Sequence, residues 1–353
     1  MKEGMKPMIA TALCAYGLSG RVFHAPLIQA EPALSLRTIL RRSGPDGTEP
    51  AMARVATDFQ AILDDPAIQL VVVNTPNALH FPMARAALAA GKHVVLEKPM
   101  TITLEEGRHL MGQAKAAGLL LAVFHNKRLD AEYLTLGRHL AAGDLGRLVE
   151  VEWHYDRYRA HVTHKAWKED EGPGAGTWFD LGVHLVDGML RQFGRPLSVM
   201  AEMRSLRRPQ GATDYFDVRF RYPDHRVILR SSTYVREPGP VLVAHGDKGS
   251  LVIPKGDVQE GQMAAGLKPG DAGWAVVTTP ALLHTERDGA VVREAVALEA
   301  GRYENFYRNV AEALAGRAPL AFGPEPAFEA LTLVHRAIEA AGQPGLSCDI
   351  AYE

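Results

Sequence analysis

The chain has 353 residues, 47% hydrophobic and 23% charged, with a formal net charge of -2 at pH 7. That balance excludes disordered and collagen-like classes and gives no electrostatic reason to expect nucleic acid or an anionic membrane as partner. Two domains are expected at this length, and two cysteines, Cys14 and Cys348, exclude a disulfide framework and point to a reducing compartment, taken as cytoplasm.

In chain order, "MIATALCAYG" predicts a buried strand running into a glycine turn. No small-residue cleavage site follows a proper apolar segment, so it is not read as a signal peptide. No run of about 18 apolar residues occurs, so no membrane-spanning helix is expected. "SGRVFHAPLIQA" starts a helix that Pro26 must kink or split, because proline lacks the N–H and clashes with the preceding turn. "LSLRTILRRS", "IQLVVVNTPN", "HVVLEKP" and "LLLAVFHN" read as further strands. The β-branched run among them suits a sheet covered on both faces. Between them lie helices, one with Pro82 in its first turn and Gly91 at its end, the next opened by a Thr103/Glu106 capping box and closed by Gly118. Strands alternating with helices predict a parallel, doubly wound sheet.

After residue 128 the rhythm changes. A helix near 131–143 leads to "RLVEVEWHYDRY", a Gly/Pro-rich loop "EGPGAGTWFD" and a helix through about Phe193. Alternating stretches follow, "SVMAEMRSL", "DYFDVRFRYP", "HRVILRSSTYV" and "PVLVAHGDKGSLVI", which favour an antiparallel sheet with one packed face. Residues 255–295 are ambiguous between loop and short strands, and helical patterns near 301–315 and 325–341 close the chain. The division expected is a dinucleotide-binding domain over 1–128 and a substrate domain over 129–353. Met8, Met83, Met111 and Met189 are expected to fill core space.

"CAYGLSG" is a dinucleotide-binding fingerprint with Ala15 at the first glycine position. The three glycines of such loops make a tight turn, let the backbone approach the phosphates, and allow close helix–strand packing. Gly17 and Gly20 hold the second and third tasks, and Ala15 is tolerable where φ is negative. The segment Tyr16-Gly17-Leu18-Ser19-Gly20 is therefore expected to hold a pyrophosphate at a helix start. At the end of the second strand, where an NAD site places a carboxylate, stand Arg41, Arg42 and Ser43. Two guanidiniums and a hydroxyl suit a 2′-phosphate, so NADP(H) is the expected cofactor, with NAD possible; a pair of solvated arginines is the alternative.

"GLSGRVFHAPLI", "VVVNTPNALHFPMARAALAAGKHVVLEKPM", "VFHNKR" and "GTWFDLGVHLVD" together resemble the Gfo/Idh/MocA oxidoreductases, nearest the scyllo-inositol dehydrogenase branch. Glu97-Lys98-Pro99 with Asp180 and His184 is the specific combination; Ala15 departs from the usual glycine. The resemblance implies a Rossmann domain followed by an α/β domain with a large open, mostly antiparallel sheet. That sheet is expected to make a homodimer or homotetramer. The resemblance places Thr75, Pro76, Asn77 and His80 beside the cofactor and Glu97, Lys98 and Asn126 near its nicotinamide end. It makes Lys98 the residue that hydrogen-bonds the reacting oxygen, His184 the acid/base and Asp180 the group that orients the substrate hydroxyl. It also implies a cis peptide before Pro99.

The chemistry agrees with those residue types. Oxidising an alcohol moves a hydride to the nicotinamide and a proton to a base, and histidine is the natural base near neutrality. Asp180 and His184 lie four apart on a predicted helix and so share a face, and the preceding "GPGAG" is read as letting that helix start against a ligand. Tyr155, Asp156, Arg157 and Tyr158 are expected to line the substrate pocket with Asp180, and Asp214 and Tyr215 to reach it. His161 and His164 have no third ligand at recognisable spacing, so no metal is expected. The expected activity is NADP(H)-dependent oxidoreduction of a polyol, inositol or sugar. A non-catalytic NADP-binding sensor, or a reductase of a C=N or other C=O substrate, is the alternative.

Overall fold

Four consecutive apolar residues, Leu70–Val73, are wholly buried and form a strand at the middle of a parallel sheet. The computed structural model describes residues 8–162 and 172–352. It divides into two compact units, one of residues 1–126, 259–274 and 302–328, the other of 127–258, 275–301 and 329–353. The segments 259–274 and 302–328 thus join the first unit although they follow residue 128.

The first unit holds β1 (Ile9–Leu13), β2 (Leu34–Leu40), β3 (Arg54–Ala56), β4 (Leu70–Val73), β5 (His93–Leu96) and β6 (Leu121–Val123). They form a six-stranded sheet in the order β3-β2-β1-β4-β5-β6, with every pair parallel. This is the doubly wound dinucleotide-binding order, with its switch point between β1 and β4. Its helices are α1 (Ala25–Ala30), α2 (Gln60–Leu63), α3 (His80–Ala89) and α4 (Leu104–Ala117). The capping box on α4 is formed: Glu106 N–H donates to Thr103 Oγ1 at 3.2 Å and Thr103 N–H to Glu106 Oε2 at 3.1 Å. Gly118 ends that helix in the left-handed region, at φ 64°. Pro26 does split its helix. Ser19–His24 is wound as a π turn, and α1 starts afresh at Ala25 with Pro26 in its first turn, where no intrahelical N–H bond is needed.

The second unit contains α5 (Ala131–Ala141), β7 (Leu148–His154), α6 (Val183–Phe193), β8 (Ser198–Arg204), β9 (Tyr215–Arg221), β10 (Arg226–Ser232), β11 (Leu242–Gly246) and β12 (Gly249–Ile253). After α7 (Gln259–Ala264), which belongs to the first unit, come β13 (Ala281–Arg287) and β14 (Ala290–Val296). The chain ends with α8 (Glu304–Leu314), α9 (Pro324–Ala341) and β15 (Cys348–Asp349). The sheet has nine strands in the order β14-β13-β12-β11-β7-β10-β9-β8-β15. Only β7 and β10 run parallel; the other pairs are antiparallel. One face is uniformly buried, through Val199, Phe220, Val227, Val151, Ala244, Leu251 and Leu283. On the opposite face the register aligns Met200, Arg219, Ile228, Glu152, Val243, Val252 and Leu282 in one row.

Three expectations change here. "PVLVAHGDKGSLVI" is a hairpin of two strands, β11 and β12, turning at Asp247-Lys248. The ambiguous region contains a helix and a second hairpin, β13–β14. Met8 is 44% exposed just ahead of β1, whereas Met189 is fully buried and Met83 and Met111 pack against the first core.

Candidate active site

Because the strands of the first sheet are parallel, the segments that follow β1, β2, β4, β5 and β6 all leave from one edge. That edge therefore collects Tyr16 to Gly20, Arg41 to Ser43, Thr75 to Asn77 with His80, Glu97 with Lys98, and Asn126. Open α/β sheets bind ligands there, outside the carboxyl ends of their strands. The glycine loop fits a dinucleotide. A Cβ on Gly20 would stand 2.3 Å from the Ala15 carbonyl oxygen, so Gly20 is required by the close return of helix onto strand. A Cβ on Gly17 would meet nothing within 4 Å, so the protein leaves that approach clear, as a phosphate-facing glycine would need. Ala15 is not among the residues with positive φ.

Asn74 holds this loop and was missed from sequence. Its Oδ1 accepts the Ala15 N–H at 2.9 Å, and its Nδ2 donates to the Ala15 carbonyl at 2.8 Å and to Ser19 Oγ at 3.3 Å. The only hint was its position at the end of the valine run, one residue before the Thr75-Pro76-Asn77 group. His80 serves the neighbouring loops. It is buried, with Nδ1 2.8 Å from the Pro99 carbonyl and Nε2 2.9 Å from that of Thr75, so its ring is spent on two backbone segments. Lys98-Pro99 is a cis peptide.

Arg41 differs from expectation. The stretch after β2 lacks a carboxylate, but the turn through Gly44 and Gly47, at φ 77° and 81°, carries two back to it. Arg41 Nη1 donates to Glu49 Oε1 at 2.5 Å and Nη2 to Asp46 Oδ2 at 2.7 Å. Hydrogen bonding to Arg41 holds the Asp46 carboxyl well below the usual carboxylate range. Tyr16 OH donates to the Thr48 carbonyl at 3.0 Å, tying the same turn to the glycine loop. Arg42 and Ser43 are exposed.

A second residue missed from sequence is His24. It is fully buried, with Nε2 3.0 Å from Glu97 Oε1 and Nδ1 2.7 Å from Tyr307 OH. Glu97 Oε2 accepts the Lys98 N–H at 3.1 Å. Burial alone raises the Glu97 carboxyl, but the His24 hydrogen bond, with Lys98 and His80 nearby, outweighs it and holds the group below its ordinary value.

In the second unit, Asp180 lies in the π turn Trp178–Gly182 and His184 in the first turn of α6. The segment is thus not the regular α-helix expected, because the turn is wound wider before α6 begins. Trp178 anchors it by donating from Nε1 to the Val334 carbonyl at 3.0 Å. Gly176, at φ 85°, is required by the neighbouring chain: its Cβ would stand 2.8 Å from the Thr213 carbonyl oxygen. The "GPGAG" glycine nearest the helix therefore accommodates backbone, contrary to the ligand role expected. Three residues beyond His184, Asp187 accepts Arg128 Nε at 2.6 Å and Nη2 at 2.5 Å, a buried two-point ion pair.

The four expected pocket residues are not brought together. Residues 155–159 extend β7 alongside residues 230–233, and side chains along an extended chain alternate in direction. Tyr155 and Arg157 share the parity of buried Trp153, against which α6 packs at Gly188. Burial, then Asp130, Glu132 and Asp257, raise the Tyr155 phenol well above its ordinary value, so it keeps its proton. Asp156 points the other way, accepting from the Ser232 N–H at 2.9 Å and lying 3.2 Å from His154. Tyr158 is exposed, with the Arg236 guanidinium 4.0 Å over its ring. Asp214 is absorbed in its own loop, where it accepts the Leu206 and Arg207 N–H groups and Arg207 Nε. Tyr215 starts β9 and is half-buried. No cluster of three or more metal-ligating side chains occurs among the described residues; His161 is exposed, and His164 lies outside the described residues.

Residues 9–125 match the oxidoreductase family, NAD-binding Rossmann fold, and residues 138–345 its C-terminal alpha/beta domain, both of the Gfo/Idh/MocA type. Uncharacterized oxidoreductase YdgJ of Escherichia coli (strain K12) is 36% identical, covering 98% of this chain and 99% of its own. The scyllo-inositol 2-dehydrogenase (NADP(+)) IolW of Bacillus subtilis (strain 168) is 35% identical, covering 94% and 93%. A solved structure from Yersinia pestis, described as an oxidoreductase, superposes with a TM-score of 0.92 at 34% identity over 99% of each chain.

Proposed function

The chain belongs to the Gfo/Idh/MocA oxidoreductase family and is a dehydrogenase of CH–OH groups with an NAD-binding Rossmann fold; from that premise we propose an NADP(H)-dependent enzyme acting on a polyol, inositol or sugar. The observation that carries the cofactor's place is the single sheet edge, with Gly20 filled by its own chain and Gly17 left clear. The 2′-phosphate falls to Arg41, Arg42 and Ser43, and similarity to the NADP(+)-named relative supports that choice. The pyrophosphate falls to Tyr16 to Gly20, and the nicotinamide end to Thr75 to Asn77, Glu97, Lys98 and Asn126. His80 acts by fixing the backbone of Thr75 and Pro99.

When bound, the nicotinamide accepts or supplies the reducing equivalents. The chain's own groups handle the oxygen and its proton. Lys98 donates a hydrogen bond to the reacting oxygen, His184 takes or returns its proton, and Asp180 orients the hydroxyl. Tyr155, with its phenol kept protonated, and Arg157 supply donors to other hydroxyls of the substrate. A ring bearing several hydroxyls demands several such polar partners. The open face of the nine-stranded sheet makes the homo-oligomer, and the free Cys14 and Cys348 suit a reducing cytoplasm. No helix among the described residues is long and apolar enough to cross a membrane.

A panel of inositols and aldoses assayed with NADP+ by reduced-nicotinamide absorbance tests this reading. Turnover of scyllo-inositol or a related ring polyol is expected; silence across the panel with intact NADP+ binding would favour a sensor.

A further inference from the structure

The polar chain Tyr307–His24–Glu97 is assembled from three separate segments of the first unit: α8, the π turn Ser19–His24, and the end of β5. His24 and Tyr307 are both fully buried, and Phe124 and Phe306 enclose them, Phe124 with its ring centroid 4.5 Å from that of His24. In such surroundings a hydrogen bond is stronger and a missing partner more costly than at the surface. An apolar cage has no need of an imidazole for packing, so this residue type calls for another explanation.

We propose that His24 and Tyr307 are positioning residues that hold the Glu97 carboxylate, and through it the Lys98 main chain, in place for the reaction. The inference rests on Lys98 and Glu97 lying at the nicotinamide end. Burial, followed by the Glu97 charge, raises the Tyr307 phenol well above its ordinary value, so it keeps its proton. With that O–H donated to Nδ1, the imidazole carries its proton on Nε2 and donates it to Glu97 Oε1, the tautomer that satisfies both contacts. The second carboxylate oxygen accepts the Lys98 N–H. One ring thus transmits a fixed orientation from α8 to the residue before the cis peptide. Neither His24 nor Tyr307 needs to touch substrate or cofactor.

The groups facing Glu97 are His24, Lys98 and His80, with Tyr307 beyond His24. With the His24 donor gone, burial is opposed only by Lys98 and His80, and the carboxyl takes up a proton at higher pH. The test compares wild type, Tyr307→Phe, His24→Leu, His24→Gln and Lys98→Met. The readouts are kcat against pH with scyllo-inositol and NADP+, NADP+ affinity by calorimetry, and urea unfolding of His24→Leu with and without Glu97→Gln. Expected for Tyr307→Phe and His24→Leu are a kcat loss of about tenfold or more and NADP+ affinity within about threefold, and for His24→Leu also an acid limb moved to higher pH. His24→Gln, which keeps an amide donor, recovers part of the loss. Glu97→Gln is expected to destabilise wild type but not His24→Leu, a coupling of about tenfold in the unfolding equilibrium. Unchanged kcat in Tyr307→Phe, an unmoved acid limb in His24→Leu, or zero coupling would overturn the relay. If His24→Leu does not fold, Tyr307→Phe and His24→Gln decide the matter. Near-normal turnover in Lys98→Met would instead bring down the Lys98 assignment, and if the protein does not turn over scyllo-inositol the coupling decides alone.

Discussion

Arg41 bears most directly on which coenzyme is taken. Its guanidinium is forked onto Asp46 and Glu49, so a 2′-phosphate must displace a carboxylate or join the cluster. Arg41→Ala is expected to weaken NADP+ by about tenfold or more and leave NAD+ within about twofold; equal loss of both in calorimetry would leave the phosphate role without support. The arginine pair was legible in sequence, but its partners were not, because a left-handed turn through two glycines brings them back. The glycine loop was legible despite Ala15, and its two glycines separate by experiment. Gly20→Ala is expected to cost about 1–3 kcal/mol of stability, since a backbone oxygen cannot move aside. Gly17→Ala is expected to leave stability within about 0.5 kcal/mol while weakening NADP+ binding, so calorimetry and urea unfolding should sort the two. His24 and Tyr307 lie 283 residues apart, and nothing local marks either as a partner of the other.

At the scale of elements, strands and helices with strong periodicity or explicit caps were read correctly: the valine run, the capping box, the closing glycines. What escaped was mostly short or irregular, apart from the seven-residue strands of the β13–β14 hairpin, whose glycine-rich surroundings hid them. β3 has three residues, too few to show a period, and the π turns before α1 and α6 have no sequence signature distinct from a helix. α6 is held by the buried Arg128–Asp187 pair, and removing one partner strands the other charge in the core. Asp187→Asn or Arg128→Met is expected to cost about 3–5 kcal/mol in urea unfolding; a loss below about 1 kcal/mol would show the pair is not holding the helix. On β7, His154 lies 3.2 Å from Asp156 and 3.1 Å from Glu152. The hydrogen bond to Asp156, and then that to Glu152, raise it above its ordinary 6.5 despite partial burial. A raised histidine stabilises fully below its unfolded value and loses that contribution as pH rises through the folded one. His154→Gln should therefore lose more stability below about pH 6.5 than in alkaline solution, as urea unfolding across pH will show.

For the whole molecule, the change of rhythm after residue 128 announced two units, but not that residues 259–274 and 302–328 return to the first. Such returns are set by long-range packing, which periodicity does not carry. If the proposed homo-oligomer forms through the opposite face, the half-buried apolar members of its row, Val243, Val252 and Leu282, lie in the interface. Val243→Glu with Val252→Lys is expected to yield monomers in light scattering, and an unchanged mass would place the interface elsewhere. The enzymatic role itself is tested most directly by steady-state turnover of the inositol panel with NADP+ in wild type, Lys98→Met and His184→Ala, with NADP+ affinity measured alongside. Each variant is expected to lose about 100-fold to 10,000-fold in kcat while binding NADP+ within about threefold of wild type; near-normal turnover in either would contradict the assignment of the oxygen's donor and its proton acceptor.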